Sequence, residues 1–449
     1  MFTAWVRRMT EALRSNGNRA QLVTVGQDEG GLSERPNPLF FGREVDFTCM
    51  HTWWNNDALA WDGMLSRLPD RPMLVEETGL MRYERIDGTP WRTELQAAAL
   101  LERKLAIAIG AGGSGFVQWI WNTNPYMASD NEAGIGFFRA DGTARPELAP
   151  FVRISQFLTE HAGRFRGREP EDVVLVIPHS QMFSPRSQAV EATQRAVRVL
   201  TNHLHVQARA VSDERLGATL GSPRLIIAPS PRIMSDAAWQ GLLAAVEKGA
   251  TLLVTGIIDT DEQWQAVERT RSLGITARSR PVAGSENLLI DGQAFRVGFR
   301  GDKLERVDTA SVRGEATVTL HRVTRGHGVI LWLPLPVELS DSAEAVASVY
   351  RTALAHAAVR PTVVVTPEDP GLFVGTTTFA DAVLVVVASE SSADVDVRVS
   401  LSPAAGGTMA TGQVAPGTAV HLQAGRARLL LLDRKSGRVV GMDGEGEGK

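Results

Sequence analysis

The sequence predicts an α/β protein in three successive units: a β/α stretch over residues 1–165, a doubly wound α/β unit over 171–360, and a small β-sandwich over 361–434. Three observations predict this. Short apolar runs alternate with helix-length segments up to residue 160, and near-continuous apolar strands of that kind belong to a parallel sheet covered on both faces. The alternation resumes after Asp172 with a further set of strands and helices. From Pro361 the helical spacing stops, and apolar runs separated by Gly, Pro and Ser turns take over. A length of 449 residues suits two to four domains, since single cores stop growing near about 250–300 residues.

In the first unit, Phe2, Val6, Met9 and Leu13 recur at helical spacing with Arg7, Arg8 and Arg14 between them. This is an amphipathic helix ending near Asn16-Gly17-Asn18, and not a signal peptide. Buried-strand patterns follow at Gln21 to Val25, Val45 to Met50, Pro72 to Val75 and Gly115 to Trp121. The clearest intervening helix runs from Thr93 to Ile109. Polar and aromatic residues collect after each strand: Gln27-Asp28-Glu29, His51-Thr52-Trp53-Trp54, Glu76-Glu77, and Trp119 to Asn124. In a parallel α/β barrel such positions share the C-terminal face, where active sites lie.

The second unit reads as strand Asp172–Pro178, helix Gln188–His203, strand Arg224–Pro229, helix Asp236–Lys248 and strand Thr251–Thr255. A strand-rich stretch follows over 280–335, then a closing helix over Ala343–Ala357. In the third unit Val383–Val387 and Val397–Leu401 are strands. The polar, Gly-rich tail over 435–449 is expected to be disordered.

The formal charge of −4 gives no argument for nucleic acid or an anionic membrane as partner. No apolar run is long enough to span a bilayer. Cys49 is the only cysteine, which excludes an internal disulfide and a Cys-rich metal site. No metal and no organic cofactor is expected.

The chemistry concentrates in Pro72-Met73-Leu74-Val75-Glu76-Glu77-Thr78-Gly79. Two adjacent carboxylates close a strand, and neighbours on a regular strand point to opposite faces, so only one of them faces a site well. A retaining glycosidase needs an ionised carboxylate to attack the anomeric carbon and a second, about 5–5.5 Å away, to protonate the leaving oxygen. Read without further context, the pair fits either that role or a solvated strand end.

The string resembles the seventh-strand motif of clan A glycoside hydrolases, especially glycoside hydrolase family 5, in which the nucleophile is the Glu two places before a Gly. That resemblance selects Glu77. Asn18-Arg19-Ala20-Gln21-Leu22-Val23-Thr24-Val25-Gly26 is similar to the fifth-strand motif, and Val45 to His51 to the sixth, whose His lies in the substrate cleft. Many members have His-x-Tyr where this chain has His51-Thr52-Trp53, so the tyrosine that bonds the nucleophile has no counterpart here. Trp119 and Trp121 fit the eighth strand, where a Trp forms a sugar-stacking floor, and Gly134 to Pro146 looks like the stretch that follows it. The resemblance covers residues 1 to about 165. It implies strands 5–8, the C-terminal half, of a TIM (β/α)8 barrel.

The resemblance implies a retaining β-glycoside hydrolase acting on a β-linked saccharide. Glu77 would be its nucleophile, and His51, Trp53, Trp119, Trp121 and Asn122 its substrate contacts, with Asn124 a further candidate for binding hydroxyls. The family's acid/base Glu, preceded by Asn on the fourth strand, is expected upstream and absent from this chain, so a truncated chain is one reading. Asn131-Glu132 follows the eighth strand and does not match it, and Glu29 reads as a loop carboxylate. The second unit is similar to the flavodoxin-like or amidotransferase-like domain of glycoside hydrolase family 42. Without a cysteine on a strand-to-helix turn it is expected to be non-catalytic, and a homo-oligomer contact is expected there. The alternative reading is a non-catalytic carbohydrate-binding or assembly protein. The sequence assigns no location to this chain, although a full-length form is expected to be secreted or periplasmic.

Overall fold

The computed structural model describes residues 1–17, 20–26, 37–53, 56–80, 85–124, 126, 134–182, 188–300, 304–309, 317–403 and 417–444. The chain opens with helices α1 (Phe2–Asn16) and α2 (Pro38–Phe41), then alternates β1 (Thr48–His51), α3 (Asn56–Ser66), β2 (Met73–Thr78), α4 (Glu94–Gly110), β3 (Gly115–Gln118) and α5 (Leu148–Glu160). These strands form a parallel sheet in the order β1-β2-β3. Among the described residues it does not close into a barrel.

The expected strand Gln21–Val25 is not a strand. The segment runs beside β1 but bonds mainly through side chains. Val23 N donates to Asp46 Oδ2, Thr24 Oγ1 to the Phe47 carbonyl, and Cys49 Sγ to the Val25 carbonyl. Groups that a ladder would pair backbone to backbone are diverted to Asp46 and Cys49, so among the described residues the sheet has three strands where four were expected.

Helix α4 starts at a capping box, with Thr93 Oγ1 accepting from Gln96 N and Gln96 Oε1 from Thr93 N. From Leu101 onward it is buried nearly all round, Glu102 and Lys104 included, and is covered on every side. One side packs on Met73 and Val75 of β2, and another on Phe373, Leu384, Val386, Leu429 and Leu431 of the C-terminal unit.

A mixed sheet follows, with β4 (Val173–Ile177), β5 (Ala208–Ser212), β6 (Leu225–Ala228) and β7 (Thr251–Thr255). Between β7 and the last strands lie β8 (Ala277–Pro281), β9 (Ser285–Ile290), β10 (Gln293–Gly298), β11 (Glu305–Thr309) and β12 (Val318–Thr319), then β13 (His321–Arg325) and β14 (Gly328–Leu333). The sheet order is β13-β14-β7-β6-β4-β5. Its five parallel strands therefore have the flavodoxin-like order, with the switch point between β4 and β6. Its helices are α6 (His179–Met182), α7 (Gln188–Arg198), α8 (Leu216–Thr219), α9 (Asp236–Glu247), α10 (Arg269–Ser272) and α11 (Ala343–His356). Trp61, Met64, Leu65 and Leu68 on and just after α3 belong to the same apolar cluster as Leu175, Ile177 and Tyr350, so this helix is shared between the two parallel sheets.

The last unit has two antiparallel sheets. One holds β15 (Val363–Thr366), β18 (Val395–Leu401) and β19 (Thr418–Leu422). The other holds β16 (Leu372–Thr378), β17 (Ala382–Ser389), β20 (Ala427–Asp433) and β21 (Val439–Met442). In β17, Val383, Val385 and Val387 face the sandwich core while Leu384, Val386 and Ala388 face α4, which is why the strand is apolar throughout. Gly375 on β16 meets Gly110 of α4 backbone to backbone; a Cβ on Gly375 would lie 2.6 Å from Gly110 Cα.

The tail expected to be disordered from Lys435 is corrected over 435–444. Ser436 N and Oγ donate to Asp433 Oδ1, Gly437 turns with φ +67°, and Val439–Met442 adds to the sheet. Asp443 is buried, accepts from Leu429 N and pairs with Arg153 of α5. Residues 445–449 lie outside the described residues.

Candidate active site

Glu76 and Glu77 sit at the carboxyl end of β2, where the ladder is irregular on both sides. Met50 pairs with Val75 but His51 pairs with Glu77, and the β2–β3 register shifts between Val75 and Thr78. The extra residue is a bulge, a device that re-aims side chains. It removes the strict alternation expected of two neighbours on a strand, and both carboxylates are partly exposed.

Each has its own partner. Trp53 Nε1 donates to Glu77 Oε1 at 2.6 Å. Glu76 Oε2 faces His51 Nε2 at 3.9 Å, beyond hydrogen-bonding distance, and lies within 3.5 Å of where a Cβ on Gly26 would sit. Glu77 thus has a side-chain donor although the sequence pattern lacks a tyrosine there. The indole N–H supplies a charge-assisted bond to the same carboxylate, and such bonds are short and orienting. Trp53 is only 5% exposed, so it acts as a partner of Glu77 and offers no open face for stacking. Its ring lies over Gly79, where a Cβ would come within 2.7 Å of Cη2 and 2.5 Å of the Trp119 carbonyl. That contact explains a Gly two places after Glu77.

The loop carrying Trp53 is held from behind by a residue that the sequence reading missed. Lys104, on α4 and buried, donates to the Thr52 carbonyl at 2.6 Å and also to the Trp53 carbonyl. Thr52 Oγ1 donates to Thr78 Oγ1 at 2.7 Å, tying β1 to β2 one residue past Glu77. The available signal was a lysine among Leu101, Leu105 and Ile107 on an apolar helix, where an amine needs buried acceptors.

Trp119 follows β3, its N–H donating to the Thr78 carbonyl, and the Trp119–Ile120 peptide is cis. Trp119 is 41% and Trp121 58% exposed, so both rings offer open surface. The two belong to different neighbourhoods. The Trp119 backbone abuts Gly79, whereas the Trp121 ring packs on Phe137 and Phe138, and Asn122 bridges to Phe138. Among the described residues no hydrogen bond joins Trp121 or Asn122 to Glu77. The structure thus brings together Glu77, Trp53, His51, Glu76 and the Trp119 backbone, and sets Trp121 and Asn122 apart on the next loop. Asn124 is in that loop and accepts from Tyr126 N. Gln27-Asp28-Glu29, Trp54 and Asn131-Glu132 lie outside the described residues.

Among the described residues, no group of three or more His, Cys, Asp and Glu side chains is placed to hold a metal ion, and no helix is long and apolar enough to cross a membrane. A cavity of about 290 Å³ between Glu169–Val173 and Ala358–Thr362 includes none of the candidate residues.

No protein-family model and no curated protein matches the sequence. Solved structures do match. A family GH42 β-galactosidase from G. stearothermophilus superposes with a TM-score of 0.72 at 13% identity, over 96% of this chain and 68% of that one. A β-galactosidase from Bacillus circulans sp. alkalophilus gives 0.71 at 13% identity, over 95% and 65%. An exo-β-1,4-mannosidase from Opitutaceae bacterium strain TAV5 gives 0.55 at 18% identity, over 78% and 69%. The chain is similar in fold to these glycoside hydrolases and spans about two thirds of their length.

Proposed function

We propose that this chain carries the nucleophile side of a retaining β-glycoside hydrolase. The observation that supports the reading best is Glu77, partly open at the carboxyl end of a parallel strand and fixed by the Trp53 indole N–H at 2.6 Å. A nucleophile must be held at one angle to the anomeric carbon, and a short bond to one oxygen leaves the other free to attack.

In the proposed cycle, the free oxygen of Glu77 forms a bond to the anomeric carbon as the aglycone oxygen departs with a proton from a second carboxyl group. The same group then takes a proton from water, and that water displaces Glu77 to release the sugar. We assign the second group to the Glu expected on a preceding barrel strand. The fold likeness to enzymes named β-galactosidase and exo-β-1,4-mannosidase makes aryl β-galactosides and β-mannosides the first substrates to assay.

The test is covalent trapping. A 2-deoxy-2-fluoro β-glycosyl fluoride of the cleaved sugar should add one glycosyl residue, and peptide mapping should place it on Glu77. Glu77→Ala should lose turnover and regain it with azide, giving the glycosyl azide. Labelling of a different carboxylate, or full activity of Glu77→Ala, would refute the assignment.

The exposed rings of Trp119 and Trp121 support a second reading, saccharide binding without hydrolysis. It predicts binding of β-linked oligosaccharides that Glu77→Ala leaves intact, with no trapped intermediate.

A further inference from the structure

We infer that the doubly wound unit carries a second saccharide-binding site at the carboxyl edge of its sheet, built on Trp264 and the Arg232–Glu305 pair and separate from the Glu77 cleft. Ligands of parallel α/β sheets bind outside the carboxyl ends of the strands. Just beyond the ends of β6 and β7 lies a small crevice lined by Gln188, Ser230, Arg232, Gly256, Glu305 and Leu339.

Trp264 lies beside it, against Arg232. The residue is 55% exposed, on a turn made rigid by Asp261. Asp261 Oδ1 accepts from Gln263 N and Gln265 N, its carbonyl accepts from Trp264 N, and Thr260 bridges to Ala266. Trp264 itself has φ +62°. A bulky residue rarely takes the left-handed region, where Gly or Asn would fit without strain. The fold thus holds a large apolar ring toward water on a rigid turn, at a position suited to a smaller residue.

One face of that ring is taken. The Arg232 guanidinium carbon lies 5.1 Å from the ring centroid, a cation–π distance that holds the indole plane, and the half-exposed residue leaves ring surface open to water. Arg232 Nη2 in turn pairs with Glu305 Oε2 at 3.2 Å. The charge at the rim is therefore balanced, which argues against an anionic ligand such as a phosphate. A flat apolar ring beside paired planar groups, with Arg232 donating and Glu305 accepting, suits a neutral polyol with an apolar C–H face. A pyranose within a β-linked chain has that chemistry.

The test needs no hydrolysis, so it is independent of the assignment of Glu77. The full chain carrying Glu77→Gln, Trp119→Ala and Trp121→Ala is run in native gels containing soluble β-1,4-galactan, galactomannan or mixed-linkage β-glucan. At least one polysaccharide should retard it. Adding Trp264→Ala should weaken that binding by at least about tenfold, the loss expected for an aromatic anchor. Trp264→Phe, which keeps a flat ring, should retain most of the retardation, and Glu305→Gln should weaken it. Undiminished binding by the Trp264→Ala protein, or no retardation of the parent by any of the three polysaccharides, would overturn the proposal.

Discussion

At the carboxyl end of β2 the two carboxylates stay partly open, whereas at the carboxyl end of β4 the polar groups are sealed by the chain itself. His179 follows β4 directly. Asn37 Nδ2 lies 3.0 Å from its Nε2, Ser212 Oγ is 2.7 Å from its Nδ1, and the Phe40 ring packs edge-on at 4.2 Å. Helix α2 of the first unit, with its cap Asn37, thus covers His179 at the carboxyl end of β4. Farther along, Glu338 is enclosed by Ser230, Thr255 and Tyr350 hydroxyls. Burial pulls His179 down to about 3 and pushes Glu338 up, so both favour the uncharged form. Perturbed titration here accompanies closure, although such groups are often used to find active sites.

The largest expected effect comes from opening the sealed end. Asn37 Oδ1 caps α2 by accepting from Leu39 N, and its amide partners His179. Asn37→Ala removes a cap and leaves a buried ring nitrogen unsatisfied, a combined cost of about 2–4 kcal/mol. Urea unfolding should show that loss. A change within about 0.5 kcal/mol, the range of ordinary surface substitutions, would mean that α2 is not the plug.

At the open end, Trp53→Phe keeps a ring over Gly79 and removes only the N–H to Glu77. Hydrogen bonds to charged groups contribute about 1.5–3 kcal/mol, so kcat/KM for aryl β-glycosides should fall about ten- to hundredfold. The measurement belongs on whichever form of the protein hydrolyses them. An unchanged kcat/KM would show that the bond does not orient the nucleophile.

What could be read from the sequence differs between the same two places. Several strands and helices of the doubly wound unit were legible because their apolar runs are continuous and bounded by Gly and Pro: Thr251–Thr255 is the strand expected, and the helix over Asp236–Lys248 differs only in that Lys248 is its cap. Strand β5 (Ala208–Ser212) was missed, because Arg209 and Ser212 break its short apolar run, and the helix expected over Gln188–His203 is α-helical only to Arg198. Glu77 was singled out through its Gly two places on. Its setting was not legible, because a bulge depends on pairing with both neighbouring strands and no local pattern announces it. Lys104 was hidden because helical spacing shows that it lies on an apolar helix but not which carbonyls await it. The strand expected at Gln21–Val25 failed for a related reason. Its composition suits a strand, but Asp46 and Cys49 take the bonds that would make it one.

A smaller effect separates closure from chemistry through pH. Asp213, whose Oδ1 accepts from His179 N, is pushed up to about 6 from an ordinary 3.8 by burial. Folded protein then binds more protons than unfolded between those values, so Asp213 adds stability as pH falls from 6 to 3.8. His179, pulled from 6.5 to about 3, does the reverse: the unfolded chain takes up its proton first, and stability is lost as pH falls from 6.5 toward 3. The two oppose each other between 3.8 and 6. Asp213→Asn keeps the acceptor and removes the titration, so urea-unfolding stability should drop more steeply with acid, by up to about 1.4 kcal/mol per pH unit over that window. Parallel profiles for the two proteins would show that Asp213 titrates normally.

The smallest effect is expected at Glu76, and it is the sharpest check on which carboxylate does the chemistry. Glu76 and Glu77 are neighbours in one bulge, so proximity to the cleft does not distinguish them. Their partners do. Glu77 takes a short bond from an indole whose position is fixed by Gly79 and, through the loop, by Lys104. Glu76 faces His51 across 3.9 Å, with no comparable hydrogen bond among the described residues. A nucleophile needs the first kind of support, and a charge that only shapes the field around its neighbour manages with the second. Glu76→Gln should therefore lower kcat/KM by less than about tenfold, about 1 kcal/mol for a partly exposed charge, while Glu77→Gln removes turnover. If Glu76→Gln abolished activity and azide restored it, the nucleophile would be Glu76, and the Trp53 bond would serve to hold a bystander in place.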